Sequence, residues 1–383
     1  MEGMKYQHCM KTTHKIYFEN SQDMGAIPSG TAHLVVTSPP YPMIEMWDEM
    51  FSNQNSEIAK SLTKGDGWNA FELMHRELDP VWKETHRILA SGGIACINIG
   101  DATRTIGGNF NLYPNHSRIL TAMIKAGFSP LPTILWRKAT NAPNKFMGSG
   151  MLPAGAYVTL EHENILILRK GPKREFQTSQ EKQLRRESAF FWEERNTWYS
   201  DIWFDLTGTS QTLANDKIRS RSAAFPFELP YRLINMFSTK NDIIVDPFLG
   251  TATTLAAAMA TGRNCLGFEI NPGFQDQLLS IETPIIASSN NRINQRIRNH
   301  TDFIDRRLKE NYKFKYVNKH YDFSVMTRQE VDLFTNPLKS VERIDDCAME
   351  VTYTATPESD FRGDRKELIP PKTKKAGNQR SLF

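Results

Sequence analysis

Cysteine is scarce: the 383 residues contain four, Cys9, Cys96, Cys265 and Cys347, all far apart. No Cys-x-x-Cys pair occurs, which excludes a disulfide scaffold and argues against a structural zinc site. His162 and Glu163 are adjacent rather than a helical turn apart, and His8 and His14 are distant, so no metal site is expected. No apolar run approaches the roughly 18–20 residues that span a bilayer. The opening MEGMKYQHCMKTTHK has no apolar stretch, so no secretory signal is expected and a reducing cytoplasm is the expected compartment. There is no internal repeat and no G-x-G-x-x-G. Charge of one sign is also lacking: 47 basic and 43 acidic residues leave only +4. A nucleic-acid partner would therefore need its basic residues concentrated locally.

What the chain does have is a rhythm of strands and helices. Apolar runs of strand length occur at 15–18, 33–37, 94–100, 132–138, 164–170, 242–249 and 264–270. Between them, helical spacing is found at 68–90 (Phe71, Met74, Leu78, Val81, Trp82, Ile88, Leu89), at 114–126, at 226–239 and in the Ala-rich 251–261. Ser91-Gly92-Gly93 is expected to end the first of these helices. The alternation predicts an α/β sheet with helices on both faces over residues 15–280. The Gly/Pro/Asn-rich 139–157 reads as a long loop, of the kind that is either functional or disordered. In the aromatic segment 190–204, Trp198, Trp203 and Phe204 alternate with polar residues and are expected in the core. The polar 281–360 predicts an extension outside that rhythm, and 361–383 a disordered tail.

Two turns carry chemistry. In DPFLGTATT (246–254), a buried strand runs into a glycine turn and a helix, and Glu269 ends the next strand. Gly250 permits a tight turn with free helix-terminal amides, and an acid about 20 residues on is placed to accept ribose hydroxyls. A single glycine argues against a pyrophosphate and hence against NAD. In LVVTSPPYP (34–42) three prolines stop a strand abruptly and leave a rigid turn with exposed carbonyls. The Ser38 hydroxyl and the Pro39 carbonyl suit an amino group on a planar ring, and Tyr41 offers a face for stacking.

Together these segments resemble the β-class S-adenosylmethionine-dependent amino-methyltransferases of DNA. TSPPY (37–41) is similar to the family's catalytic tetrapeptide, DPFLGTATT to its cofactor loop, and GFEINP (267–272) to its strand-end acid. AAFPFELPYRLINMFSTKNDIIV (223–245), SGGIACINIGD (91–101), WRKATNAPN (136–144) and HENILILRK (162–170) extend the match in family order over roughly 14–275. The resemblance implies a Rossmann-like fold: a mixed, mostly parallel sheet with helices on both faces, a terminal β-hairpin, a circularly permuted motif order and a C-terminal appendage. It implies a methyltransferase domain over 1–280, with 171–222 as a target-recognition insert; that insert is short for full recognition, so 281–360 is expected to share it.

By the same resemblance, Ser38, Pro39, Pro40 and Tyr41 hold a flipped-out base. Asp246, Pro247, Phe248, Gly250, Thr251, Phe225, Pro226 and Phe227 lie at the methionine end of S-adenosylmethionine, Glu269 at the ribose, and Asn20 near the adenine. Ala252 stands where the family has a second glycine, a place where a methyl is expected only if the backbone is not left-handed. Ser rather than Asp at the head of the tetrapeptide resembles the cytosine-N4 branch. Adenine-N6 methylation on the same scaffold is the alternative, and a DNA-binding module with a degenerate cofactor loop a further one.

Two runs concentrate the charge. Residues 169–186 carry net +5 and residues 292–320 net +6. Arg169, Lys170, Lys173, Arg174, Arg185, Arg186, Arg296 and Arg298 are the expected phosphate contacts on double-stranded DNA. A restriction endonuclease is an expected functional partner without a stable complex.

Overall fold

The computed structural model describes residues 10–138, 147–148, 151–206, 225–275 and 282–355. The expected tail at 361–383 and much of the expected loop at 139–157 lie outside the described residues. The strands in chain order are β1 Lys11–Tyr17, β2 Ala32–Thr37, β3 Leu89–Ile99, β4 Ala102–Ile106, β5 Asn109–Tyr113, β6 Phe128–Arg137, β7 Met147–Gly148, β8 Ala156–Tyr157, β9 His162–Lys170, β10 Ile202–Trp203, β11 Ile243–Asp246, β12 Asn264–Phe268, β13 Tyr316–Val317, β14 Ser324–Val325, β15 Leu338–Asp345 and β16 Ala348–Tyr353. The helices that matter below are α1 Asp48–Gln54, α2 Ser56–Thr63, α3 Gly67–Ile88, α4 Asn115–Lys125, α5 Ser179–Glu187, α6 Trp192–Trp198, α7 Glu228–Phe237, α8 Thr253–Thr261 and α9 Glu282–Lys309.

Ten strands form one sheet in the order β10-β6-β9-β3-β2-β11-β12-β1-β16-β15. The central block β3-β2-β11-β12-β1 is parallel throughout. β9 runs antiparallel between β3 and β6. Alternation within β2 assigns the two faces: Leu34 and Val36 join a core with α7 and α8, while Val35 joins the core of α3 and α4 on the other side. Strands covered on both faces are uniformly apolar, which is why these runs are legible in sequence. α8 is apolar all round because it is buried between the sheet and α9.

The order of elements corrects two expectations, the helix end at Ser91-Gly92-Gly93 and the core place of Phe204. Ser91-Gly92-Gly93 lies inside β3 rather than ending a helix; α3 stops at Ile88 and the chain turns directly into an extended backbone. Trp192–Trp198 is helical, and only Ile202–Trp203 pairs as strand. Trp198 and Trp203 are buried, but Phe204 is 65 % exposed because the chain leaves the sheet there. Residues 282–355 bring two further strands to the sheet: β16 pairs with β1 and β15 with β16, while α9 packs on α8 and β15.

Candidate active site

β2 delivers Thr37 to one edge of the sheet, and Ser38-Pro39-Pro40-Tyr41 turns away from it. Ser38 Oγ lies 3.0 Å from the carbonyl of Asn98 at the end of β3 and 3.1 Å from Tyr41 Oη. Its proton serves one of these contacts at a time, and the lone pairs remain to accept from a ligand. The Tyr41 phenol donates to Glu163 Oε2 across 3.0 Å and accepts from Asn98 Nδ2 at 2.9 Å. Asn98 Nδ2 is also 2.6 Å from Glu163 Oε2, and Lys138 pairs with the other carboxylate oxygen. Burial, with the negative charge of Glu163 beside it, pushes the phenol well above its ordinary value, so it stays protonated. Gly100 makes room for this ring: a Cβ there would lie 3.0 Å from Tyr41.

The second turn follows β11 at the same edge. Asp246 is buried at 1 % exposure, accepts from Thr37 Oγ1 at 2.6 Å and from the Phe248 N–H at 3.0 Å, and burial pushes its carboxyl up to about 6. Leu249 then folds over β12, where a Cβ on Gly267 would meet it at 2.6 Å. Gly250 has φ +51 and Ala252 φ +62. The expectation for Ala252 thus fails: its methyl sits on a left-handed backbone, which opens α8. Glu269, directly after β12, accepts the Gly250 N–H at 3.0 Å on Oε2 and the Asn271 N–H at 2.9 Å on Oε1. Each oxygen keeps a lone pair for a further donor, and partial burial raises the carboxyl from its ordinary value.

Both turns line one cavity of about 400 Å³. Ser38, Pro39, Pro40, Tyr41, Pro247, Phe248, Gly250, Thr251, Glu269, Asn20 and Phe225 all reach it. Asn20 is partly committed, since its side chain closes a turn with the Gln22 N–H at 3.0 Å. Three expected residues do not line the cavity. Asp246 lies beneath it, tying the two turns together. Pro226 is buried at the entry to α7, and Phe227 turns its ring toward Tyr231, 5.4 Å between centroids. The apolar wall from Met46, Trp47, Met50 and Phe51, together with Leu78 and Val81 of α3, was not anticipated. Nor were Asn98, Glu163 and Lys138; the available signal was a carboxylate opening the otherwise apolar strand ENILIL.

The expected phosphate contacts divide. Arg296 is 4 % exposed, bound by Glu194 at 2.6 and 2.7 Å and by Tyr231 at 3.1 Å, so it is a core ion pair and not a DNA contact. Its charge-run neighbour Arg298 is exposed on α9. Arg174 is held by Asp242 at 2.6 and 3.0 Å, and Lys170 donates to the Leu89 carbonyl at 2.7 Å. Arg169, Lys173, Arg185 and Arg186 line a different concavity. Because β9 is antiparallel to β3, Arg169 pairs with Ile94 while Asn164 pairs with Ile99. The basic run therefore begins at the edge opposite Ser38, about 17 Å away along the strands.

Known proteins resemble this chain in sequence and in fold. A family described as DNA methylase, covering N6 and N4 methyltransferases, matches residues 32–280. The type II methyltransferase M.MthZI of Methanothermobacter thermautotrophicus is 50% identical over 345 residues, 90% of this chain and 96% of that protein. M.MjaI of Methanocaldococcus jannaschii, likewise a type II methyltransferase, is 51% identical over 271 residues, 68% of this chain and 88% of its own. Among solved structures, TTHA0409 of Thermus thermophilus, a candidate DNA modification methylase complexed with S-adenosyl-L-methionine, is 30% identical. It covers 69% of this chain and 92% of its own, with a TM-score of 0.52.

Proposed function

The chain belongs to the DNA methylase family of N6 and N4 amino-methyltransferases, and from that premise we propose that it methylates the exocyclic N4 of cytosine in duplex DNA. Membership makes it a DNA methyltransferase dependent on S-adenosylmethionine. The choice of base rests on Ser38: a neutral hydroxyl heads the turn where a carboxylate would be the alternative.

The site suits the cofactor. Glu269 has a free lone pair on each oxygen for the two ribose hydroxyls, Phe248 and Phe268 flank the cavity, and the left-handed Gly250 brings the backbone close. When bound, S-adenosylmethionine supplies an electrophilic methyl group on a cationic sulfur. The protein's part is positioning. The cytosine N4 lone pair is delocalised into the ring and is a poor nucleophile. The Ser38 hydroxyl and the Pro39 carbonyl accept its two hydrogens, which favours a tetrahedral nitrogen with a localised lone pair. The Tyr41 ring and the prolines exclude water and offer the base a flat wall. A base inside a duplex cannot reach this cavity, so it enters flipped out. Among the described residues no cysteine lines the cavity, in keeping with transfer to nitrogen rather than a covalent route to ring carbon. By analogy with the type II relatives, methylation protects DNA from a cognate nuclease.

The test is direct. DNA methylated by the purified chain is digested to nucleosides and the modified base identified. N4-methylcytosine is expected; N6-methyladenine would overturn the assignment of base while leaving the enzyme class intact.

A further inference from the structure

The edge of the sheet away from Ser38 carries a second concavity, of about 1,730 Å³. His33 at the start of β2, Ile94 in β3 and Arg169 at the end of β9 mark its floor. Nine Lys or Arg side chains line it against two carboxylates, Glu330 and Asp332. That local excess exceeds the +4 of the whole chain.

The carboxylates present are already engaged. Asp332 is shared by Lys319 and Arg186. Glu330 accepts the backbone N–H groups of Trp192 and Thr327. Among the described residues, no ion pair ends on Lys173, Lys182, Arg185, Arg195 or Arg328, all of them exposed. Two of these cations are held in place by aromatic faces: Arg185 lies 4.8 Å from the Phe176 ring centroid and Arg195 5.8 Å from that of Tyr199. Like charges gathered on one wall repel, and a polyanion is the ligand class that relieves them.

We propose that this groove binds the phosphate backbone of a second DNA duplex segment, distinct from the one presented to Ser38. The two sites open on opposite edges of one sheet. A duplex with a persistence length of about 150 bp cannot turn back on itself around a sheet one strand, roughly 17 Å, deep. A duplex seated at the active site therefore leaves the basic groove free. The contacts are to phosphates, so they carry no sequence information; they let the enzyme hold one segment while sampling another.

The experiment is a bridging assay on the full chain. A biotinylated duplex on beads is incubated with protein and a fluorescent duplex of unrelated sequence, and retained fluorescence is measured against salt. The unaltered chain is expected to retain the fluorescent duplex, less so as salt rises. The variant K182E/R195E/R328E is expected to lose at least about tenfold of that retention. Its methyl transfer at saturating DNA, and its melting temperature, should match the unaltered chain. Absent bridging, or bridging that survives the triple change, overturns the proposal. So does a proportional loss of methyl transfer, which would place the groove on the reaction's own DNA path, and so does preferential retention of single-stranded RNA. Absence of any methyl transfer by the unaltered chain would count against the proposed function and leave the bridging result standing on its own.

Discussion

The Thr37 hydroxyl donates to Asp246 Oδ1 across 2.6 Å, and this bond joins the turn that would hold the base to the turn that would hold the cofactor. The two residues end neighbouring parallel strands but stand 209 positions apart in sequence. Thr37→Val removes the donor and leaves a buried carboxylate short of a partner. A loss of about 1–3 kcal/mol in urea unfolding is expected, with weaker S-adenosylmethionine binding by calorimetry. An unchanged unfolding midpoint would contradict it.

Asp246 also sets a pH dependence. Its carboxyl is pushed up to about 6 in the fold by burial, against 3.8 as its ordinary value. Between these values the native state binds the extra proton, so this group's contribution to stability falls as pH rises from about 4 to 6 and stays at its low level above. Asp246→Asn should remove that slope, read as melting temperature against pH for both chains.

Ala252 adopts φ +62 at the mouth of α8. An L-residue there costs about 1 kcal/mol over glycine. Ala252→Gly should therefore stabilise the protein by roughly that amount, raising the melting temperature by about 2 °C, without weakening cofactor binding. A fall in melting temperature would show that the left-handed turn is not retained.

Glu269 is expected to hold the ribose. Glu269→Ala should weaken S-adenosylmethionine binding by on the order of 10- to 100-fold, the loss of a charged acceptor of two hydrogen bonds. Calorimetry checks this, with melting temperature as the control for folding.

Tyr41 and Glu163 brace the Ser38-Pro39-Pro40 turn. Tyr41→Phe keeps the ring and deletes the anchor; Glu163→Gln keeps the shape and weakens the acceptor. Each should lower single-turnover methyl transfer by about tenfold or more with cofactor affinity unchanged. Because the pair acts as a unit, the double variant should be little worse than either single one. Additive losses would mean that the two residues act separately.

Much of the centre was legible in sequence because parallel strands covered on both faces are continuously apolar and stop at recognisable turns. Ser38, Gly250 and Glu269 could be placed at one edge for that reason. Side chains brought in from antiparallel β9 could not: nothing local in HENILILRK says which way the strand runs, so neither Glu163 beside Tyr41 nor Arg169 at the opposite edge could be placed. Arg296 was misread because only charge was counted. Its neighbours Ile293, Ile297 and Ile304 recur at helical spacing and are buried, marking the face on which Arg296 also lies. The left-handed backbone at Ala252 belongs to a turn in which Leu249 donates to the Phe268 carbonyl and accepts from the Ala252 N–H, long-range geometry that composition does not reveal.

The pairing of β16 with β1 has a consequence for how the molecule is made. Lys11 sits opposite Thr352, and β1 is flanked on its other side by β12. β1 is thus made long before either of its two partners, β12 and β16. Contacts of such sequence separation slow folding, and an early strand with two open edges is exposed to wrong pairings meanwhile. Modification activity should therefore lag translation by a measurable interval, with chains arrested before β12 remaining both incomplete and prone to aggregate.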